Sequence, residues 1–329
     1  MFSIIIPVKE INEYILKNLS IIENLDYQNY EIIVLPNKID SYCKKLIKKY
    51  KKLRVVETGK VGPGDKRDLG AQKAFGEILV FLDDDSFPSL NLLTIAKENF
   101  KNKNVIAIGG PGITPRDSTF WEKVSGAVYL SKFSGGNPER YLSIGKIKEI
   151  DDWPSVNLMV RKSFFIEVNG FDSKFWPGED TLFSLKLKKT FPKKSFKYVP
   201  NAVVWHYRRQ GFLKHLQQTY SYGLHRGFFS KTYPETSLKI KYLLPSMFLL
   251  FNSLTIFNTV YEIPIFNEIY IYIWILYLLN TILALLQIIK IEGYFVGLNS
   301  IIYIFFTHII YGLAFIFGLV RKELKSKLR

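Results

Sequence analysis

Five short apolar runs, at residues 2–6, 30–35, 53–56, 78–82 and 105–108, carry no polar alternation, and this constrains the fold more than any other feature of the chain. Between them lie stretches at 11–23, 41–50, 65–75 and 89–100, each of helical length with apolar positions three or four apart. Strands lose their alternation when both faces are buried, and helical crossovers join parallel neighbours, so the pattern predicts an α/β domain with a mostly parallel central sheet flanked by helices. In such sheets ligands sit outside the carboxyl ends of the strands. The segments that follow the first, second and fourth runs are therefore expected to line one crevice: Pro7-Val8-Lys9-Glu10, Pro36-Asn37-Lys38 and Asp83-Asp84-Asp85.

Three adjacent carboxylates at a strand end repel one another and ask for a cation. Alternation along an extended segment points Asp83 and Asp85 one way and Asp84 the other. An Asp-x-Asp pair suits Mg²⁺ or Mn²⁺, which take oxygen ligands from one or two carboxylates together with substrate phosphates. The alternative is a solvated acidic turn capping the helix that begins near Pro88. The connection 58–70 is a glycine-rich loop opening a helix, with Asp65 as the expected N-cap and Lys66 and Arg67 as cations brought toward the crevice, a solvated first turn being the alternative. It matches neither a dinucleotide fingerprint nor a P-loop.

The ordered set Ser3-Ile4-Ile5-Ile6-Pro7-Val8-Lys9-Glu10, Lys66-Arg67-Asp68-Leu69-Gly70, Gly76 through Asp85, Asn169-Gly170-Phe171-Asp172 and Gly178-Glu179-Asp180 resembles glycosyltransferase family 2 over roughly residues 1–230. The resemblance implies a GT-A fold, a nucleotide-sugar donor (a UDP- or GDP-sugar), a divalent metal, Mn²⁺ or Mg²⁺, and direct displacement with inversion. In that family the first aspartate of the pair contacts nucleotide or sugar and the last binds metal, which carries over to Asp83 and Asp85; the crevice reading adds Pro7, Glu10, Asn37, Lys66, Arg67 and Asp84 as donor contacts, and the alternation adds Asp83 as a second metal ligand. Two positions depart from the family pattern: Asn37 stands where an acidic residue usually reads the base, and Asp68 where asparagine is common.

An acceptor hydroxyl must lose its proton as it attacks the anomeric carbon, so a carboxylate is needed as general base. Asp180, with Glu179 beside it, is assigned that role; capping of the helix at 181–189 is the competing reading. Trp176 is either an acceptor platform or core. His206, 26 residues after Asp180, is either structural or, as the family resemblance implies, a completing ligand of the metal or diphosphate site. Arg208, Arg209 and Arg226 are diphosphate contacts or lipid-headgroup anchors.

Past residue 235 the composition changes. Apolar segments at 242–261, 269–289 and 294–320 are each long enough to span a bilayer. The expected organisation is a cytosolic catalytic domain over 1–235, with an interfacial helix near 211–230, and a transmembrane domain over 236–329 of two or three spans. The run at 2–6 is too short for a signal-peptide core, so the catalytic domain is expected on the cytoplasmic side. Three crossings from that side leave the basic tail 321–329 outside, against the positive-inside rule, unless one segment is interfacial or re-entrant.

The net charge of +16 is dispersed over 44–52, 186–197 and the tail, without a nucleic-acid module, which argues for a lipid surface and against nucleic acid. The single Cys43 excludes an intramolecular disulfide. These features predict a multi-pass membrane enzyme with a lipid bilayer and a lipid-linked glycan acceptor as partners. The missing arginine-tryptophan pair after Gln218 argues for transfer of one sugar over processive polymerisation. A polyprenyl- or dolichyl-phosphate sugar synthase is the narrower alternative, and a non-catalytic membrane scaffold the alternative of another class.

Overall fold

The computed structural model describes residues 1–172, 174–261 and 264–324. The first elements are β1 (Phe2–Pro7), α1 (Glu13–Ile22), β2 (Tyr30–Leu35), α2 (Ser41–Lys49), β3 (Leu53–Val55), α3 (Pro63–Lys73), β4 (Ile78–Leu82), β5 (Ser86–Pro88) and α4 (Leu92–Phe100). They continue with β6 (Val105–Gly109), β7 (Gly112–Ile113), α5 (Phe120–Ala127), β8 (Lys148–Glu149), β9 (Asn157–Arg161), α6 (Lys162–Glu167) and α7 (Glu179–Thr190). The last are β10 (Ser195–Tyr198), β11 (Val204–His206), α8 (Phe212–Thr232), α9 (Pro234–Ser237), α10 (Ile240–Tyr261), α11 (Pro264–Glu292) and α12 (Tyr294–Val320).

The chain divides into two compact units. The first, Met1–Pro115 with Leu142–Tyr207, holds an eight-stranded sheet in the order β3-β2-β1-β4-β9-β6-β10-β8. β3, β2, β1 and β4 run parallel, while β9 is antiparallel to both β4 and β6. Successive β1 side chains enter opposite layers: Ile4 and Ile6 pack with Ile15 and Leu19 of α1 and Leu93 of α4, whereas Ile5 packs with Ala71 of α3 and Phe183 of α7. Burial on both faces is why the runs show no alternation. At roughly 1.5–3 kcal/mol for each fully buried aliphatic side chain, these two layers hold the strand ends in place.

The second unit, Arg116–Tyr141 with Arg208–Leu324, is helical. The boundary expected at residue 235 is therefore displaced: segment 116–141 and helix α8 belong with the C-terminal helices. The cause is close packing of α8 on α12. A Cβ on Gly227 would lie 1.9 Å from Phe315 O, and one on Gly318 2.1 Å from Leu224 O, so only glycine lets the two backbones approach this way. Among the described residues two helical stretches are long and apolar enough to cross a membrane, Asn267–Glu292 and Tyr294–Val320; the apolar part of α10 over Ile240–Leu254 is shorter.

His215 on α8 is fully buried in this unit, its Nδ1 2.8 Å from Ser125 Oγ of α5 and its Nε2 2.8 Å from Thr307 Oγ1 of α12. Burial pushes its pKa down to about 4 from 6.5. Between those values the unfolded chain binds a proton that the folded one does not, so stability rises with pH across the window and is lost as pH falls through it, by about 3 kcal/mol in all. Thermal unfolding of the full chain in detergent should show that loss from pH 6.5 to 4. His215→Asn should flatten the slope; an unchanged slope would refute the assignment.

Candidate active site

The loops after β1, β2 and β3 are laced by backbone bonds: Val8 N donates to Leu35 O (3.2 Å), Asn37 N to Lys9 O (3.0 Å), Thr58 N to Pro36 O (3.1 Å) and Gly59 N to Asn37 O (3.0 Å). The loops after β1 and β2 therefore meet as strand order predicts, the loop after β3 joins them, and Asn12 Nδ2, beyond β1, donates to Asp84 Oδ2 beyond β4 at 2.9 Å. Pro7 is buried at the end of β1, and Glu10 is exposed in the loop that follows.

α3 starts at Pro63, with Gly62 as its N-cap, two residues before Asp65. Asp65 is therefore not the N-cap; as the third helical residue, its carboxylate accepts from Gly62 N at 3.1 Å. This earlier start also decides where the two cations point. Lys66 and Arg67 fall one turn into the helix, 4% and 3% exposed, facing the sheet rather than standing open to the crevice as the sequence suggests. Lys66 Nζ donates to Val8 O (2.6 Å), Leu35 O (3.2 Å) and Asn37 Oδ1 (2.6 Å). Burial lowers its pKa to about 8. Because an ammonium can only donate, it must meet the Asn37 oxygen, and the Asn37 amide nitrogen is turned away from it.

Arg67 bridges two carboxylates that are far apart in sequence, with Nη2 2.5 Å from Asp83 Oδ1 and Nη1 3.0 Å from Glu179 Oε1. Its guanidinium also lies over the Phe171 ring at 5.7 Å. Glu179, 4% exposed, is held inside; burial, then the neighbouring Asp180 charge, push its pKa up while Arg67 opposes them. Asp180 is half-buried at the start of α7 and accepts from Ser155 N at 3.3 Å and from Thr181 N at 2.7 Å. The catalytic pair expected from the sequence is thus split by the structure. Glu179 is a buried partner of Arg67, and Asp180 is the more accessible carboxylate.

The aspartates sit in a tight turn clamped by Ser86, whose Oγ accepts from Asp83 N (3.0 Å) and donates to Asp83 O (2.9 Å). Antiparallel pairing of β11 with β5 sets His206 opposite Ser86, and this register brings His206 Nε2 to 3.1 Å from Asp85 Oδ1. One ligand atom each from Asp83, Asp85 and His206 lies within 4.8 Å of the others. Two ligands at ~2.1 Å from one octahedral ion are about 3 Å apart when adjacent and about 4 Å when opposite, and two carboxylates with an imidazole are a donor set that Mn²⁺ or Mg²⁺ accepts, so with a small inward shift these residues fit a divalent ion. Asp84 turns aside, its Oδ2 accepting from Asn12 Nδ2 at 2.9 Å. Burial first and the Asp85 charge second push Asp84 up to about 6.

Three contributors escape the sequence reading. Asn12 caps α1 through Ile15 N (2.9 Å) as well as holding Asp84, and an asparagine just before a helical run was the available signal. Asp68 accepts from Phe171 N (2.8 Å) and Asp172 N (2.9 Å), and so fixes the turn that leads toward α7. Gly170 has φ +57° there, and a Cβ on it would lie 2.3 Å from Asp68 Oδ1, so glycine is required. Ser155 holds Asp180 through a backbone N–H, which no side-chain pattern could announce. Of the ring pair, Phe175 is core and Trp176 is half-buried.

Comparison with known proteins agrees with this geometry. Residues 3–166 match the model for glycosyl transferase family 2. A relative from Methanococcus voltae, a dolichyl N-acetyl-alpha-D-glucosaminyl phosphate 3-beta-D-2,3-diacetamido-2,3-dideoxy-beta-D-glucuronosyltransferase, is 27% identical over 97% of both chains. The mannosyltransferase PcManGT from Pyrobaculum calidifontis, solved with GDP-Man and Mn²⁺, superposes with a TM-score of 0.51 at 16% identity, over 69% of this chain and 61% of that one. GalNAc-T7, solved with UDP, GalNAc and Mn²⁺, gives 0.50 at 16% identity over 69% of this chain and 50% of that one. This chain therefore spans less than two thirds of either solved structure, and those likenesses show the fold. The chain is a glycosyltransferase whose residues 3–166 form a family 2 domain, with a GT-A catalytic unit and a helical unit that carries two apolar helices.

Proposed function

We propose that the chain is a membrane-bound, inverting transferase that moves a single sugar from a UDP- or GDP-sugar to a lipid-linked glycan acceptor, with its catalytic unit on the cytoplasmic side of a multi-pass anchor. The observation that carries the reading is the Arg67 bridge, which joins the donor-side Asp83 to the residue next to Asp180. One buried guanidinium sets the spacing between donor site and base.

In this mechanism the donor lies across the ends of β1, β2 and β4. Asn37, oriented by Lys66, offers its amide N–H to a base carbonyl, which uracil and guanine both possess. Pro7 and Glu10 border the same cleft. Asp83, Asp85 and His206 would hold Mn²⁺ or Mg²⁺, which when bound supplies positive charge for the oxygens of the departing nucleoside diphosphate. Asp84 supports the aspartate turn through Asn12 rather than facing the donor. Asp180, held by the backbone N–H of Ser155, takes the proton from the acceptor hydroxyl as that oxygen attacks the anomeric carbon from the face opposite the leaving group.

Chelation should abolish transfer by the purified full chain, and Mn²⁺ or Mg²⁺ should restore it. Asp85→Asn should raise the concentration of ion needed by about tenfold or more, read directly by Mn²⁺ binding. Transfer that survives chelation undiminished would remove the metal from the reading.

The similarity to the Methanococcus voltae relative runs over 97% of both chains and so includes the helical unit as well as the catalytic one. Two long apolar helices support the anchor. Transfer to a lipid-linked acceptor in preference to the same glycan without its lipid tests the acceptor class.

A further inference from the structure

In the helical unit, Trp121, Gly211, Phe212, Asn299, Ile302 and Tyr303 line an open groove of about 380 Å³. Its walls are aromatic and branched. The Trp121 and Tyr303 rings lie nearly parallel with centroids 6.3 Å apart, and Phe212 meets Tyr303 edge-on at 4.9 Å. Behind Tyr303 the His215 ring packs at 5.2 Å, itself held by Ser125 and Thr307, which makes that wall rigid. The polar side chain in the lining, Asn299, donates its amide to Phe295 O at 2.9 Å.

The groove has a defined depth. α12 has 27 residues, so it is about 40 Å long against a hydrocarbon core of roughly 30 Å. Residues 299–303 lie in its second and third turns, close to one end of the span. Tyr294, Phe295, Phe120 and Trp121 are all exposed near that end, the arrangement that aromatic side chains adopt at a headgroup boundary. Two cations, Arg208 and Arg209, stand on the chain just before Gly211, and Gly211 follows His206 by five residues. An occupant with an apolar tail and an anionic phosphate matches both the lining and that charge.

Taking the lipid-linked acceptor above as given, we propose that this groove holds the phosphate-proximal isoprene units of the acceptor. Its aromatic walls grip the branched chain, and Arg208, stacked on the Tyr141 ring at 4.8 Å, and Arg209 supply positive charge for the phosphate three and two residues before Gly211.

The test uses the full chain in lipid nanodiscs and a benzophenone-tagged isoprenyl phosphate as photoprobe. Label is expected on α5, the start of α8 and the first turns of α12, competed by long-chain polyprenyl phosphate and not by phosphatidylglycerol. Ile302 is 56% exposed, so Ile302→Trp fills the groove without straining a core. It should cut labelling and raise KM for a long-chain acceptor by about tenfold, while nucleotide-sugar affinity measured by calorimetry stays as in the wild type. Trp121→Ala should weaken labelling by removing one wall. Label confined to other helix faces, or competed equally by phosphatidylglycerol, overturns the proposal. If the wild type shows no preference for lipid-linked over water-soluble acceptors, the acceptor class itself fails and the groove falls with it. If that preference exists and survives in both variants, only the groove assignment fails.

Discussion

Replacing Asp180 with Asn is expected to lower kcat by about three orders of magnitude while leaving nucleotide-sugar binding intact. The amide matches the carboxylate in shape and its one acceptor oxygen can keep the 2.7 Å bond from Thr181 N, while the longer 3.3 Å bond from Ser155 N to the other oxygen is given up, so α7 keeps its start and loses only that tie. What it cannot do is accept the acceptor's proton. Transfer kinetics, with donor affinity measured separately by calorimetry, separate the two effects. Undiminished turnover would sink the base assignment, and a parallel loss of donor affinity would mean that Asp180 serves the donor site. Glu179→Gln should behave differently, because Glu179 is 4% exposed and bonded to Arg67: its effect should fall on stability and on the placement of Asp180.

Arg67→Met is expected to destabilise the catalytic unit by about 3–5 kcal/mol and to abolish donor binding. The Arg67 side chain is 4% exposed, and its loss leaves Glu179 buried without its cation and Asp83 unpinned. Arg67→Lys keeps the charge but not the fork that spans two carboxylates, so it should recover stability in part and activity little. The double variant Arg67→Met with Glu179→Gln should regain stability relative to Arg67→Met alone, since it removes the stranded charge. Chemical denaturation of the four proteins closes the cycle. A non-additive term near zero would show that Arg67 and Glu179 do not act together.

Much of the fold was legible because it depends on local periodicity. The unbroken apolar runs announced strands buried on both faces, and the glycine-rich connection announced a helix start. The crevice followed from strand direction: the loops after β1 and β2 are bonded to each other, and Asn12, beyond β1, holds Asp84, beyond β4. The residue types of the donor and base positions were legible through the resemblance to family 2. Their individual orientations were not. With α3 starting at Pro63, Lys66 and Arg67 lie one turn into the helix and inward, and Pro63, a residue favoured at the first helical position, is the signal in 58–70 that sets that boundary. A catalytic domain of residues 1–235 takes in segment 116–141, yet that segment packs with the C-terminal helices, because its partners come from distant stretches such as α8 and α12.

By itself, the sequence determined that this chain would build a mostly parallel sheet, gather carboxylates at the end of its fourth strand and continue into apolar helices. Each of these is a matter of which residues are apolar and how they are spaced. Only the tertiary structure decided that Arg67 would join Asp83 to Glu179, 112 residues away, that the β5–β11 register would set His206 beside Asp85, and that Asp84 would turn to Asn12. Pairings of that kind depend on where helices and strands come to rest against one another. Buried charges must find partners wherever the packing places them.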